Sequence, residues 1–493
     1  MRLSSVWGAG FVVALLIVAC VGEDPIPAGA SSGTGPNATA CDATQKSCDG
    51  RCVSKEDPSV GCAMESCAPC EPGANATTSC KAGACATTCN EGFTDCDGDP
   101  KNGCEAKTAA DVANCGACGK ACGTANTDIA SKCDQGKCQF TCKKGFGHCS
   151  AVDEAGCETN LLDDDLHCGA CGHSCLGGKC VEGKCKPFQV ASASSPVGVA
   201  VDATNVYFTS PSQAYIQRVQ RDGKCNPAAP CPQEFVGGQD DLVQFRGPTA
   251  IVSNGTSVFF TADASGKIGM RAATGGPITN WGPAPSTEPG YLVIAGGKLW
   301  WTSASAGGTG VHVRRSDLDG TNITNVVTYG SPAASFQGRG GITADATHVY
   351  WASKNAGVFR MAFNDPACTE DTLAASGKCK LVGGGGVDVA VDDTYVYWTE
   401  EGGSVHRAPK AGGASAFMAT GQTNVRGLAV MGAYVYWGVP GAIRRAPQVA
   451  APCEADACEL VANVEQPGAI VAADDGLYWT NTVVAGGVYR LAK

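Results

Sequence analysis

The sequence predicts an all-β protein: a seven-bladed β-propeller preceded by a small disulfide-rich repeat region with little regular secondary structure. Three observations predict it. One phrase, an apolar strand, a turn and an aromatic-rich strand, recurs seven times after residue 197, as VGVAVDATNVYFTS, TAIVSNGTSVFFTA, LVIAGGKLWWTS, GGITADATHVYWAS, VDVAVDDTYVYWTE, RGLAVMGAYVYWGV and GAIVAADDGLYWTN. The matching aromatics Phe208, Phe260, Trp301, Trp351, Trp398, Trp437 and Trp479 are spaced by 52, 41, 50, 47, 39 and 42 residues. A strand-rich unit of roughly 40–50 residues cannot bury its own faces and closes on its neighbours as a propeller blade. Finally, 24 of the 31 cysteines crowd into residues 41–185, which predicts a region held by cystines rather than by a core.

The elements follow in order. Met1-Arg2 precedes an apolar run from Gly8 to Ala19, too short to span a bilayer, so residues 1–19 read as an export signal. Its ending, Leu16-Ile17-Val18-Ala19-Cys20, resembles the lipobox of bacterial cell-envelope lipoproteins. That resemblance implies cleavage after Ala19, lipid on Cys20 and a membrane partner, because two or more acyl chains anchor stably. Setting Cys20 aside leaves 30 cysteines, an even number that can all pair. Val21 stands where an aspartate would resemble an inner-membrane retention signal, which favours the bacterial outer membrane. Residues 20–40 (CVGEDPIPAGASSGTGPNATA) carry no apolar period and form a tether with a reach of roughly 25 Å.

In residues 41–185, Cys80, Cys85, Cys89, Cys96, Cys104, Cys115, Cys118 and Cys122 recur as Cys133, Cys138, Cys142, Cys149, Cys157, Cys168, Cys171 and Cys175, with identical gaps. A partial copy leads, from Cys41 to Cys70, and Cys180 and Cys185 trail. Spacing held while other residues change means that the cysteines are the fold of copies 80–122 and 133–175. Connectivity is not readable from spacing. The C-x-x-C pairs, with His167 and His173 beside the second, also suit zinc, but an exported thiolate cluster competes with oxidation. The loop from Asp95 to Glu105 offers alternating carboxylates for calcium in the first copy only, since His148, Ser150 and Ala151 replace the acids in the second. Residues 20–185 carry a net charge of −10 and residues 186–493 a net of −2, so the basic excess of a nucleic-acid binder is missing.

The propeller, residues 186–493, carries an arginine in each third strand: Arg218, Arg271, Arg314, Arg360, Arg407, Arg445 and Arg490. Seven repeated arginines, like seven repeated rings, read as structural. Asp202, Asp345, Asp392 and Asp474 should bond the amides of the turns that they open. The last blade stops before a fourth strand, while Pro187-Phe188-Gln189-Val190-Ala191 is spare, so this segment should supply the missing strand and latch the ring. Cys225 with Cys231, Cys368 with Cys379 and Cys453 with Cys458 lie between third and fourth strands and should bridge hairpin arms.

The phrases VYWTE, VYWAS, LYWTN and GVYRLAK, with VHVRRSDLDG at 311–320, resemble the YWTD-type propeller of low-density-lipoprotein receptors. The resemblance covers Pro187 to Lys493 and implies a non-catalytic binding propeller. The chain departs from that type in having seven blades against six. It also has Ser210, Ala262, Ser303, Ser353, Glu400, Val439 and Asn481 where that type has aspartate. The expectation is a lipid-anchored protein whose cystine stalk presents the propeller, with an unknown protein or glycan on its loop face and no cofactor. Arg246, Arg339 and Arg426 precede the innermost strands of alternate blades and could ring the axial mouth as an anion cradle; scattered surface arginines are the alternative. An enzyme resembling metal-dependent sugar-lactone hydrolases is the other function, and Asp388 is the one axial acid that the inner strands offer it.

Overall fold

The structure is a computed structural model, described here for residues 41–62, 67–223, 232–237, 245–281, 287–305, 311–328, 340–354, 356–365, 379–449 and 451–493. The expected signal peptide, Cys20, the tether, Cys225, Cys231, Cys368 and Arg339 lie outside these residues. The chain divides into two compact units, Met1–Ala109 and Ala110–Lys493, so the second copy of the cysteine block shares a unit with the propeller.

In the first unit, cystines join Cys41–Cys52, Cys48–Cys67, Cys62–Cys80, Cys70–Cys85 and Cys89–Cys104. The second unit repeats the last three as Cys115–Cys133, Cys122–Cys138 and Cys142–Cys157, then adds Cys149–Cys171, Cys168–Cys180 and Cys175–Cys185. Cys96 and Cys118 are also disulfide-bonded. The physical unit is therefore out of phase with the copies seen in the sequence. Two cysteines of one segment (Cys62 and Cys70, Cys115 and Cys122, Cys168 and Cys175) grip the hairpin that follows it, Cys80–Cys85, Cys133–Cys138 or Cys180–Cys185. Each hairpin turns on a two-residue loop with both residues left-handed, such as Gln135 at φ 49° and Gly136 at φ 75°. That turn matches strand twist and needs a glycine second, which explains the x-Gly in KAGA, DQGK and VEGK.

The propeller has seven sheets, each of at least four antiparallel strands. Blade 1 runs through Val199–Val201, Asn205–Ser210, Tyr215–Gln220 and Gln233–Val236, and blade 7 through Pro467–Ala472, Gly476–Asn481 and Gly486–Ala492. The fourth strand of blade 7 is Phe188–Ala193, antiparallel to Gly486–Ala492, so the expected latch is present. Blade 5 gains a fifth strand: Cys453–Glu454, from the excursion between the third and fourth strands of blade 6, pairs in parallel with its outer strand Ala416–Thr420. The Cys453–Cys458 cystine forms as expected, but it ties an excursion that covers an exposed sheet edge rather than the two arms of one hairpin. Cys379 is disulfide-bonded.

Seven apolar clusters lie between blades, and each joins the ring one place before the repeat aromatic of one blade to the repeat aromatic of the next. The pairs are Tyr207 with Phe260, Phe259 with Trp301, Trp300 with Trp351, Tyr350 with Trp398, Tyr397 with Trp437, Tyr436 with Trp479, and Tyr478 with Phe208. Alternation along a strand explains this, since adjacent residues face opposite neighbours. The final pair returns blade 7 to blade 1 and closes the ring.

Candidate functional site

In an antiparallel four-stranded blade, the connection from strand two to strand three and that from strand four to the next blade emerge on one face. Arg246 and Arg426 belong to that face, and so does the mouth of the axis. Eleven residues before the position that follows each repeat aromatic (a threonine except for Ala352 and Gly438) stand Gly198, Ala250, Tyr291, Gly341, Asp388, Gly427 and Ala469. These positions meet around the axis. The amide of Gly341 donates to Val387 O at 2.8 Å and that of Ala469 to Val197 O at 3.2 Å, each into the next blade.

The threonines lock this level, a role that the sequence reading missed. Thr209 Oγ1 accepts from the Gly198 amide and donates to Thr249 O of blade 2, both at 2.9 Å. Thr302 donates to Gly340 O at 3.1 Å, and Thr480 donates to Val197 O at 2.9 Å, which again links blade 7 to blade 1. Glycine is required at position 198, where a Cβ would lie 2.2 Å from Thr249 O. A signal was available, because the threonine recurs in five of the seven phrases.

Asp388 is the acid at this level. Its Oδ1 accepts from the Val389 amide at 3.0 Å and fills the space in front of Gly341, where a Cβ would meet it at 2.2 Å. The side chain sits in a narrow recess, keeping some exposed surface while protein surrounds it. Burial raises its carboxyl to about 6, against the opposing pull of the Val389 amide. With a folded pKa above the unfolded value of about 3.9, the native state binds the extra proton, so stability falls as pH rises from about 4 to 6. Asp388→Asn should therefore raise the unfolding free energy by about 2–3 kcal/mol at pH 8 and leave it unchanged at pH 4, read from urea melts at both pH values. Parallel pH profiles for the two proteins would disprove this.

Of the three arginines of the expected cradle, the described residues include Arg246 and Arg426. Arg426 begins the inner strand Arg426–Met431, whereas Arg246 lies ahead of Pro248–Ser253 with its amide on Ser265 Oγ at 2.6 Å. Both side chains are exposed, Arg426 twelve and Arg246 fifteen residues before the position that follows the repeat aromatic.

The third-strand arginines hold blade to blade. Arg218 donates to Ala273 O at 2.6 Å, Arg360 to Lys410 O, Arg407 to Gln448 O and Arg490 to Arg221 O, in each case the carbonyl just after the next blade's third strand. Two assignments are corrected. In blade 3 this bond is made by Arg315, to Phe363 O at 2.7 Å, since Arg315 pairs with Trp300 and Arg314 with Trp301. In blade 2 the matching position is Met270, so Arg271 turns to the other face and donates back to Phe235 O of blade 1. Arg445 binds Glu459 at 2.6 Å within its own blade.

Asp202, Asp345 and Asp392 each accept from two turn amides, as expected. Asp345 and Asp392 also accept from Tyr350 Oη at 2.9 Å and Tyr397 Oη at 2.6 Å. Burial and the carboxylate beside it push each tyrosine well above its usual range. Asp474 departs from the expectation, because Ala473 holds the turn position that the other three aspartates hold in their blades, with its amide on Gly476 O at 2.8 Å. It pairs instead with Arg221, while Asp475 accepts from Tyr478 Oη at 3.0 Å.

Blade 5 places a hydroxyl, an imidazole and a carboxylate together. Ser404 Oγ lies 2.8 Å and Glu400 Oε2 3.2 Å from His406 Nε2, with the imidazole stacked on Trp398. Both groups meet the same nitrogen, so the ring cannot pass a proton from serine to glutamate as a triad does. In the first unit, Asp95, Asp97 and Glu105 converge, but Glu105 accepts from the Cys96 amide at 2.7 Å and Asp97 from Asn102 at 2.8 Å. Glu158 holds the matching loop of the second copy through the Cys149 and Ser150 amides at 2.9 and 2.7 Å. The glutamate is thus a loop tie common to both copies, with or without the acids that surround Glu105.

No protein-family model and no curated protein matches the sequence. Among solved structures, the chain is similar to a streptogramin B lyase at 16% identity and TM-score 0.46, over 62% of this chain and 96% of that one. Virginiamycin B lyase from Staphylococcus aureus matches at 16% identity and TM-score 0.47, over 62% of this chain and 98% of that one. A nidogen/laminin complex matches at 18% identity and TM-score 0.34, over 44% of this chain and 77% of that one.

Proposed function

We propose that this chain is a non-catalytic, lipid-anchored protein of the bacterial outer membrane, whose cystine repeats present the propeller so that its loop face binds a protein or glycan. The observation that carries the reading is how the axial level is built. Three of its five threonines, Thr209, Thr302 and Thr480, are consumed in joining blades, and six of its seven positions are Gly198, Ala250, Tyr291, Gly341, Gly427 and Ala469. A hard divalent cation needs six or more oxygen ligands, and Asp388 alone does not provide them, which weighs against a lactone-hydrolase-like enzyme. The binding surface is then the loop face, including Arg246, Arg426 and, from the sequence, Arg339.

Two experiments test the parts. Cys20→Ser in the full chain, expressed in a bacterium with an outer membrane, should abolish acyl labelling and release the protein from the membrane fraction; retention there would refute the anchor. A photo-crosslinking side chain in place of Val484, which is 78% exposed in a loop between strands two and three, should yield discrete envelope adducts. The same group in place of Asp393, in a turn on the opposite face, should not. The reverse pattern would move the binding surface to the other face.

A further inference from the structure

We infer that the last cystine hairpin is a redox-sensitive clamp on the ring closure of the propeller. Arg490, 2% exposed, is the hub. It lies in the C-terminal strand of blade 7 and donates through Nη1 to Arg221 O of blade 1 and through Nη2 to Leu176 O, next to Cys175. Its guanidinium also stacks over Phe188, the first residue of the latch, at 5.5 Å from the ring centroid. One side chain thereby joins the two blades that meet at the seam, the latch and the cystine hairpin. Arg221 reinforces the seam by pairing with Asp474 and Asp475 of blade 7.

The hairpin side of this contact is shaped by its disulfide. Cys175–Cys185 closes the loop that carries Leu176 and Gly177. Leu176 sits in the left-handed region at φ 52°, which turns its carbonyl out, and Gly178 donates to Cys175 O at 2.9 Å. Phe188 packs between Gly177 and Gly223: a Cβ at Gly177 would just touch its ring, and one at Gly223 would lie 2.7 Å from it. Gly178 must stay a glycine, because a Cβ there would sit 2.4 Å from Lys186 O. Only Lys186 and Pro187 separate Cys185 from the latch strand. Cys175 is 1% exposed, whereas Cys185 keeps partial access, so a reductant meets the Cys185 sulfur first.

A dithiol, which closes to its own disulfide and passes on its two thiol protons, or a phosphine, which becomes its oxide with the oxygen of a water that supplies two protons, delivers two electrons and turns this cystine into two thiols. Loop 175–185 is then free to leave left-handed geometry at Leu176, Arg490 loses an acceptor, and the latch loses the packing of Phe188. The six apolar clusters away from the seam are untouched, so the effect is local opening of the seam rather than global unfolding.

The test uses hydrogen exchange on the full chain with Cys175→Ser/Cys185→Ser. Amides of the latch strand Phe188–Ala193 and of its partner Gly486–Ala492 should exchange at least ten-fold faster, while those of blade 4 are unchanged. Cys142→Ser/Cys157→Ser, which opens a cystine away from the seam, should leave latch exchange as in the unaltered protein. Arg490→Lys, with every cystine intact, should reproduce the faster latch exchange, because an ammonium cannot reach both carbonyls in one plane. Should the first variant fail to fold, Arg490→Lys together with stepwise phosphine reduction of the unaltered protein gives the same reading. Unchanged latch exchange in both, or equal loosening by the Cys142/Cys157 control, overturns the inference.

Discussion

Deleting residues 187–191 is expected to abolish cooperative folding of the propeller, and a synthetic peptide spanning residues 187–194 is expected to restore it in part. The latch is the fourth strand of blade 7, paired with the C-terminal strand from Phe188 opposite Arg490 to Ala193 opposite Gly486, with a register shift between Gln189 and Ala191. Its Val190 and Ala191 are 5% and 7% exposed and pack into the cluster that joins Tyr478 to Phe208. Losing the valine alone costs about 2–3 kcal/mol, and each ladder bond adds about 1 kcal/mol. Together these losses exceed about 5 kcal/mol, a large share of the stability of an ordinary domain. The open edge left behind is a template for strand addition, which is why the peptide should bind in trans. Tryptophan fluorescence during urea unfolding, with and without peptide, gives the readout. If the truncated chain melts as one unit at undiminished stability, the latch does not hold the ring.

What the sequence made legible, and what it hid, follows from the period of each signal. The seven blades, the latch and the repeat aromatics were readable because burial repeats with the blade, and Asp388 stood out as a charge among small apolar residues. Arg314 and Arg271 were misassigned because one residue of slip in a strand exchanges its faces, and only the observed pairing of Trp301 with Arg314 fixes the phase. Asp474 was misread for a similar reason, since it stands one residue past the turn position, which Ala473 holds. The cysteine connectivity was hidden because cystines bind one segment to the hairpin of the next, so the copies in the sequence straddle the physical modules. The Cys453–Cys458 excursion is a tertiary feature: nothing local says that a connection in blade 6 will cover the edge of blade 5. The arginine mouth rests on chain position, and Arg339 lies outside the described residues.

Trp437→Ala should cost about 4–6 kcal/mol, more than a simple cavity, because the indole both fills space and satisfies a buried amide. Trp437 has no exposed surface and lies in the cluster between blades 5 and 6, with Tyr397, Met418 and Leu428. Truncating a tryptophan in such a core costs about 3–5 kcal/mol by itself. Its Nε1 donates to Gln422 Oε1 at 3.1 Å, and Gln422, 6% exposed, donates in turn to Thr420 O at 3.1 Å and Ala455 O at 3.2 Å. The alanine variant therefore orphans a buried carbonyl oxygen as well, at about 1 kcal/mol or more. Trp437→Phe separates the two effects: it keeps most of the ring volume, loses the donor, and should cost about 2 kcal/mol. A double-mutant cycle with Gln422→Leu should then show a coupling of about 1 kcal/mol, because removing both partners leaves neither stranded. Since Gln422 also meets the Cys453–Cys458 excursion at Ala455, the cycle reports whether the extra strand of blade 5 is held through the core of its neighbour. Additive single and double effects would show instead that packing alone fixes that blade interface.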